Sequence, residues 1–216
     1  MSFKLKFSLT KILFFLLFSF LLSSCKERIK DAIKQRLENQ GDETISESTF
    51  KRIEVDSLYA LSLPKYMNTM DNLNEQATLQ YGNVYKNSYT TVTHEDIQDF
   101  VVYYKEVGAY IDSLSVIENY TNAQLSYFNR SIKNCEIYFH NDSKISNYEA
   151  RQYKFTGTIA NQEVVYLMAY IETEGDLFLI MNWTSDDRFL RFKETFETIN
   201  SSFEYIINTT VQDEIQ

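Results

Sequence analysis

Glycine, proline, cysteine and histidine are all scarce in this sequence: its 216 residues include five Gly, one Pro, two Cys and two His. Five glycines scattered singly along the chain cannot form a glycine-rich phosphate-binding loop. Two histidines in distant segments give little basis for a nucleophile–base pair or for a metal centre. The composition therefore predicts a protein that is not an enzyme and that carries neither a metal ion nor a cofactor.

Basic residues are also in deficit, with 21 Lys and Arg against 30 Asp and Glu and a formal net charge of −9. Nucleic acids and anionic lipid head groups favour basic surfaces. The charge therefore argues against a nucleic-acid partner. It is otherwise compatible with a soluble, acidic surface.

The N-terminus has a distinct pattern of charge and hydropathy. Its basic residues are Lys4, Lys6 and Lys11, and a stretch from residue 12 to residue 22 that is apolar except for Ser19 follows them. A basic start followed by about 7–15 apolar residues is typical of a secretory signal peptide, and such a stretch is too short to span a bilayer. Residues 1–24 are therefore predicted to be a signal peptide.

The signal is predicted to end in a lipidation site. Leu22-Ser23-Ser24-Cys25 resembles the bacterial lipobox, in which a branched residue and two small residues precede the cysteine that receives the lipid. Several acyl chains anchor a protein stably because each buried CH₂ contributes about 0.8 kcal/mol. Lys26 stands where an aspartate favours retention in the inner membrane, so the outer membrane is the predicted location. The pattern does not distinguish a periplasmic domain from a surface-facing one.

A tether is predicted between the lipidated cysteine and the folded domain, over residues 25–49. Residues 26–39 have apolar side chains at helical spacing, and residues 40–48 are polar and acidic. Such a spacer would hold the domain away from the bilayer. At the other end of the chain, residues 208–216 are predicted to be a disordered tail.

Residues 50–207 are predicted to form one α+β domain. Alternating β-branched and aromatic residues predict strands at 53–55, 58–63, 78–81, 89–93, 135–140, 148–159, 163–173 and 177–183. Helices are predicted from Asp96 to about Ile132, with a break near Gly108, and again after Ser185. The last helix has a stripe of Phe189, Phe192, Phe196, Ile199 and Phe203 that must be buried against the sheet.

The order of these elements resembles the PsbP/Mog1-like family. The first half of the resemblance is carried by residues 58–64, by Leu79-Gln80-Tyr81 leading into residues 89–92, and by the long helical insert. The second half is carried by Phe155-Thr156-Gly157, Val165-Tyr166, residues 180–184 and the closing helix from Phe196 to Phe203. The resemblance covers roughly residues 50–207 and is one of pattern and order.

This resemblance implies an antiparallel β-sheet flanked by helices, as an α/β/α sandwich. Known members of the family mostly bind proteins, so the resemblance also implies a binding or accessory role. The family has no common catalytic residues, and none is carried over to this chain.

Tyrosine and phenylalanine are in excess, with 16 of each. Most Phe positions fall on the predicted buried stripes, whereas a Tyr hydroxyl needs water or a partner. Tyr103, Tyr110 and Tyr120 lie in the helical insert and are predicted to contact a partner, at a groove between the sheet and the insert 96–132. A codon bias towards Tyr and Phe is an equally good explanation of the excess.

Two clusters of polar residues could be mistaken for active-site groups. His94-Glu95-Asp96 combines metal-ligand types, but adjacent residues cannot all face one ion, and Asp96 is better explained as a helix N-cap. Asp186-Asp187 stands at a predicted helix start, where acidic residues favour the helix dipole. Neither cluster predicts chemistry.

The second cysteine, Cys135, has no intramolecular partner if Cys25 is lipidated. It lies in an apolar stretch, so a buried thiol is expected. A catalytic thiol needs an activating neighbour, and His140, five residues further along a strand, points to the opposite face.

The sequence therefore predicts a membrane-anchored lipoprotein that acts as a non-enzymatic binding or accessory module on another envelope protein. The alternative is a small-molecule or lipid-binding protein that uses an apolar pocket under the same helices. An envelope hydrolase is the third hypothesis, and it lacks a nucleophile–base pair.

Overall fold

The computed structural model describes residues 43, 45–142 and 144–206, and these residues form ten strands and three α-helices. The strands are β1 (Phe50–Val55), β2 (Tyr59–Pro64), β3 (Asn68–Thr69), β4 (Leu79–Asn83), β5 (Ser88–Asp96), β6 (Lys133–Asn141), β7 (Glu149–Ile159), β8 (Gln162–Glu172), β9 (Asp176–Ser185) and β10 (Glu204–Tyr205). The helices are α1 (Ile97–Glu106), α2 (Val116–Ser131) and α3 (Phe189–Ser201), and short 3₁₀ turns span Glu47–Thr49 and Asp186–Arg188.

Two antiparallel sheets organise the described residues. The larger sheet has seven strands in the order β3-β4-β5-β9-β8-β7-β6, and the smaller has three in the order β1-β2-β10. Every described strand pair is antiparallel. The predicted class, an α+β fold with an antiparallel sheet flanked by helices, is confirmed.

The hairpin between β7 and β8 shows how local sequence sets the register. Ile159 pairs with Gln162, which leaves only Ala160 and Asn161 in the loop. Both loop residues have positive φ, 49° and 65°. Positive φ at both central positions matches the right-handed twist of the flanking strands. The strands predicted on the two sides of this turn, at 148–159 and 163–173, are confirmed within one residue.

Helices cover both faces of the seven-stranded sheet. On one face, α3 and the three-stranded sheet pack over a core of aromatic and aliphatic side chains that includes Tyr59, Leu61, Phe178, Phe192 and Phe196. On the other face, α1 and α2 pack over a second core that includes Phe100, Tyr120, Phe155, Met168 and Tyr170. The predicted burial of the α3 stripe is confirmed, since Phe189, Phe192, Phe196, Ile199 and Phe203 are all buried.

The turn between β4 and β5 is capped by a side chain at the end of β4. Gly82 and Asn83 belong to β4, and the reversal occupies residues 84–87. The Asn83 side chain accepts hydrogen bonds from the backbone N–H groups of Tyr85 and Lys86, at 3.1 and 3.0 Å. Asn83 therefore caps the turn from the end of the strand, as Asn side chains commonly do.

The thiol of Cys135 is less buried than the sequence suggested. Cys135 lies on β6, the edge strand of the large sheet, and is half-buried. An edge strand has a neighbour on one side only, so its side chains are covered less fully than those of the central strands. Partial burial raises the pKa of the thiol, which makes it less reactive.

The ordered fold extends to the N-terminal side of residue 50. Within the predicted tether, a carboxylate oxygen of Glu43 accepts a hydrogen bond from the Tyr66 hydroxyl at 2.6 Å, and the other lies 2.5 Å from Lys86 Nζ. Both partners lie on the side of the sheet that α3 covers, where Thr195 also reaches Glu43. Glu43 thus contacts the domain on its α3 side.

The predicted signal peptide, Cys25 and the C-terminal tail lie outside the described residues. Within the part of the chain that the structure describes, no helix is long and apolar enough to cross a membrane.

Candidate binding groove

A groove of about 640 Å³ opens on the face of the large sheet that α1 and α2 cover. Its floor is formed by β5 and β9, one wall by α2, and the other wall by the segment between β3 and β4. The lining residues are Leu73, Asn74, Gln76, Thr91, Thr93, His94, Glu95, Tyr120, Gln124, Tyr127, Phe128, Tyr166, Leu179, Met181 and Trp183. The volume is in the usual range of ligand sites, about 300–1,000 Å³.

The floor of the groove contains a buried hydroxyl without a partner. Thr91 and Thr93 alternate along β5 with Thr90 and Val92, which face the opposite core. Thr90 hydrogen-bonds Asn182 Oδ1 at 2.8 Å, whereas Thr91 Oγ1 is fully buried and has no hydrogen-bond partner. A buried hydroxyl without a partner costs about 1–3 kcal/mol, so Thr91 lowers the stability of the free protein.

One end of the groove is aromatic. Tyr89, Trp183, Tyr166 and Phe155 occupy directly paired positions on β5, β9, β8 and β7. Successive rings stack with centroid distances of 5.3, 5.5 and 4.5 Å, and Phe155 in turn contacts Phe128 of α2. This row stiffens the floor, because stacked aromatic pairs on neighbouring strands stabilise one another.

A glycine gives the aromatic row its space at its outer end. Gly82 pairs with Tyr89 across β4 and β5. A Cβ at Gly82 would lie 2.5 Å from Tyr89 Cδ1, closer than real contacts allow. Gly82 therefore accommodates the Tyr89 ring.

The other end of the groove is acidic. Glu95 stands six residues beyond Tyr89 on β5, so the two ends are about 20 Å apart at a rise of about 3.3 Å per residue. Burial raises the pKa of the Glu95 carboxyl, and no described side chain or backbone group hydrogen-bonds to it. Among the groove-lining residues, Glu95 is the only Asp, Glu, Lys or Arg.

The structure separates the three tyrosines that were predicted to contact a partner. Tyr103 is exposed on α1, with its ring against Tyr104, and Tyr110 is half-buried in the loop after α1, beneath Lys105. These two lie outside the groove.

Tyr120 was expected to belong to an exposed tyrosine patch, but only 1% of its surface is exposed. It follows Ile117 by three residues on α2, so both side chains face the sheet. Its ring packs against Phe100 and Tyr170, and burial raises the pKa of its hydroxyl well above the ordinary value. Tyr120 is therefore part of the groove wall and of the core, and the exposed tyrosine of the groove rim is Tyr127.

The polar triplet before α1 is divided between three roles. The predicted helix cap is confirmed: an Asp96 carboxylate oxygen accepts the backbone N–H groups of Gln98 and Asp99 at 2.7 and 3.0 Å. The His94 ring packs against Phe178, and its two nitrogens are buried without hydrogen-bond partners. Glu95 faces the groove. Among the described residues, no group of three His, Cys, Asp or Glu side chains is placed to hold a metal ion.

Sequence reasoning located the groove between the sheet and the helical insert but did not identify most of its polar residues. Thr91, Thr93 and Gln124 carry no local signal, since threonine is common in strands and glutamine on helices. Glu95 had a detectable signal: Thr91, Thr93 and Glu95 alternate along β5, so all three side chains lie on the same face of the sheet.

Comparison with known proteins reveals similarity in structure but not in sequence. No protein-family model matches the chain, and no curated protein matches it.

Two solved structures superpose on most of the chain. Cyanobacterial PsbP (CyanoP) from Synechocystis sp. PCC 6803 is 12% identical, with 78% of this chain and 99% of that chain covered and a TM-score of 0.50. The Ran-binding protein Mog1p from Saccharomyces cerevisiae is 11% identical, with 73% and 95% covered and a TM-score of 0.51. A third, LpqN of Mycobacterium tuberculosis, has a lower TM-score of 0.44. The first two similarities establish that this chain has the PsbP/Mog1-like fold.

Proposed function

We propose that this protein is a lipid-anchored, non-enzymatic module of the bacterial cell envelope that docks onto another envelope protein through the groove. The observation that carries the proposal is the groove itself, which is open, preformed and lined by aromatic rings together with a buried hydroxyl without a partner. Sites of this composition bind ligands by shape and by a few placed polar groups.

The fold and the anchor support this proposal from two sides. Mog1p, which has the same fold, is a Ran-binding protein, although fold alone does not determine function. The lipobox-like segment ending at Cys25 would attach the chain to a membrane. Glu43, the first residue that the structure describes, makes its contacts on the α3 side of the sheet, and the groove opens on the other side. An anchored domain would thus keep its groove accessible.

The test is a pull-down of the full lipidated protein from its own envelope in mild detergent, with bound proteins identified by mass spectrometry. We expect a stoichiometric protein partner. Gln124→Trp should block the groove and remove the partner, because Gln124 lines the groove from α2. Asn129→Trp places the same ring on the exposed side of the same helix and should retain it.

Equal capture by both tryptophan variants would mean that the partner binds elsewhere. In the same pull-down, Tyr103→Ala and Tyr110→Ala test the predicted role of these residues, which lie outside the groove. If these variants lose the partner and Gln124→Trp still captures it, the interface lies on the outer side of α1 and not in the groove.

The second candidate function is binding of a small molecule or lipid, and the size of the groove favours it. It predicts a compound that co-purifies with the protein. Denaturing extraction followed by mass spectrometry should then release one dominant species, in an amount equal to that of the protein. Extracts without such a species would leave protein docking as the proposed function.

A further inference from the structure

Glu95 differs from the other shielded carboxylates of this domain because it has no donor. Glu43 is paired with Lys86 at 2.5 Å, and Glu172 accepts the backbone N–H of Ile117 at 2.8 Å. Glu95 is only partly exposed to water and has neither kind of partner. Burying an unpaired charge is unfavourable unless a partner neutralises it. A ligand bound in the groove can therefore supply the donor that Glu95 lacks.

The charge of the surroundings selects the sign of that ligand. No Lys or Arg lines the groove, and the whole chain has a net charge of −9. A cation is therefore attracted to the groove and an anion is repelled. The Tyr104 and Tyr120 hydroxyls are close enough to Glu95 to sense its charge. Aromatic rings of this kind cover the aliphatic stem of a long basic side chain.

The shape and the polar groups of the groove indicate what carries the cation. A length of about 20 Å accommodates roughly six residues of extended chain. Gln76 and Gln124 supply amide groups from the two walls. Amide side chains can hydrogen-bond both the N–H and the C=O groups of a peptide backbone.

We propose that the groove binds an extended segment of a partner protein in which a lysine or arginine side chain forms an ion pair with Glu95. This inference rests on the proposed docking function and adds the chemistry of the partner. Glu95 recognises the cation, the two glutamines contact the backbone, and the aromatic row supports the far end of the segment.

The test uses Trp183, which lines the groove and is the only tryptophan of the chain, so its fluorescence reports occupancy of the groove. The full-length protein in detergent is titrated with an acetylated, amidated hexapeptide of Gly and Ser with one central lysine. A matched peptide has norleucine in place of lysine, and n-butylammonium supplies the cation without a peptide. We expect saturable binding of the lysine peptide, at least tenfold tighter than that of either comparison ligand.

Glu95→Gln should weaken binding of the lysine peptide at least tenfold and leave the norleucine peptide unaffected. Glu106→Gln, an exposed carboxylate at the end of α1, is the matched control and should bind like the original protein. Equal binding of the lysine and norleucine peptides, no fluorescence response to any peptide, or an unchanged affinity in Glu95→Gln would overturn the ion pair. Equal affinity for n-butylammonium and the lysine peptide would mean a site for free amines and would overturn the peptide segment.

The envelope pull-down separates this inference from the docking function. If Glu95→Gln still captures the partner while Gln124→Trp does not, docking through the groove stands and the ion pair is wrong. If neither variant affects the partner, the groove is not the docking site.

Discussion

The polar residues of β5 divide between two faces of the sheet, and their hydrogen bonding differs accordingly. Thr90 is buried beside Asn182, which it hydrogen-bonds, and Asn182 in turn contacts Asn200 of α3 at 2.7 Å. Thr91 and Glu95 face the groove, and neither has a hydrogen-bond partner. Residues that lower stability in the free protein often serve in binding, because the ligand restores the missing contacts.

The two neighbouring threonines provide a matched pair for stability measurements. Thr91→Val removes a buried hydroxyl that has no partner, so we expect an unfolding free energy that is unchanged or higher by about 1 kcal/mol. Thr90→Val leaves Asn182 without its donor and should lower the unfolding free energy by about 1–3 kcal/mol. Urea denaturation of both variants measures the difference. An equal loss in both would show that Thr91 is held by a buried water molecule.

Glu95 and Glu118 should affect stability with opposite signs. Burial raises the pKa of Glu95 from its ordinary value of 4.5, so the folded state disfavours its ionised form. This destabilisation is fully present above the raised pKa and disappears as the pH falls to 4.5 and below. Glu95→Gln should therefore raise the Tm at pH 7, with the gain lost near pH 4. The titratable groups that face Glu95 are Tyr104 of α1 and Tyr120 of α2, both neutral in this range.

Glu118 provides the comparison for the pH measurement. Hydrogen bonds from the backbone and hydroxyl of Ser115, together with Arg151, lower the pKa of its carboxyl. The Glu118 carboxylate therefore stabilises the folded state at pH values above its ordinary pKa. This contribution is lost as the pH falls through the lowered pKa. Glu118→Gln should thus lower the Tm at pH 7. The same sign of change in both variants would contradict the assignment of Glu95 as a carboxylate without a partner.

At the scale of elements, the floor of the groove depends on a row of rings that crosses four strands. Tyr89, Trp183, Tyr166 and Phe155 come from β5, β9, β8 and β7. The last three strands are consecutive in the chain, whereas two helices and β6 separate β5 from them. The row forms only when the strand order places β9 between β5 and β8. Gly82 on β4 leaves room for the outermost ring. The shape of the groove is therefore a property of the sheet and not of any one strand.

Replacing this glycine should disturb the row. In Gly82→Ala, the new Cβ would lie 2.5 Å from Tyr89 Cδ1, so the ring must shift away from residue 82 and its stacking on Trp183 must change. We expect a loss of about 1–3 kcal/mol in unfolding free energy, as for other overpacked sites, and a change in Trp183 fluorescence. In the control, Gly175→Ala, the nearest atom lies at an ordinary 3.6 Å. Identical fluorescence in the two variants would show that the stack tolerates the added methyl group.

At the scale of the whole molecule, Glu43 and the groove lie on different sides of the large sheet. Glu43 is held by Tyr66 and Lys86 on the side that α3 covers, whereas α1 and α2 flank the groove. A seven-stranded sheet with helices on both faces offers two independent surfaces. Substitutions at Glu43 should therefore leave the groove unchanged.

The predicted anchor is tested by replacing each of the two cysteines in turn with serine. Cys25→Ser should abolish incorporation of labelled palmitate and release the protein from the membrane fraction, because the thiol that carries the lipid is lost. Cys135→Ser should incorporate palmitate normally, since Cys135 belongs to the folded domain. Lys26→Asp should move the lipidated protein to the inner membrane. A Cys25→Ser variant that stays membrane-bound would show that another segment anchors it.

Much of the fold was predictable because its signals are local. The β7–β8 hairpin follows from a two-residue loop between alternating strands, and the cap at Asp96 from an acidic residue before a helical stripe. The burial of the α3 stripe follows from the spacing of Phe192, Phe196 and Ile199. In each case the residues that decide the structure lie within a few positions of one another.

The candidate site depended on contacts between segments far apart in the chain. Tyrosine spacing in the insert does not reveal that Tyr120 is buried, because this depends on how α2 lies across the sheet, against Phe100 and Tyr170. Nor does the sequence around Glu95 reveal that its carboxylate is shielded without a donor. Most of the strands and helices, the predicted anchor and the acidic charge can be read from the sequence, because they depend on neighbouring residues and on composition. Which tyrosines are covered and where the groove lies emerge only in the folded protein, because burial and pairing arise when distant segments pack together.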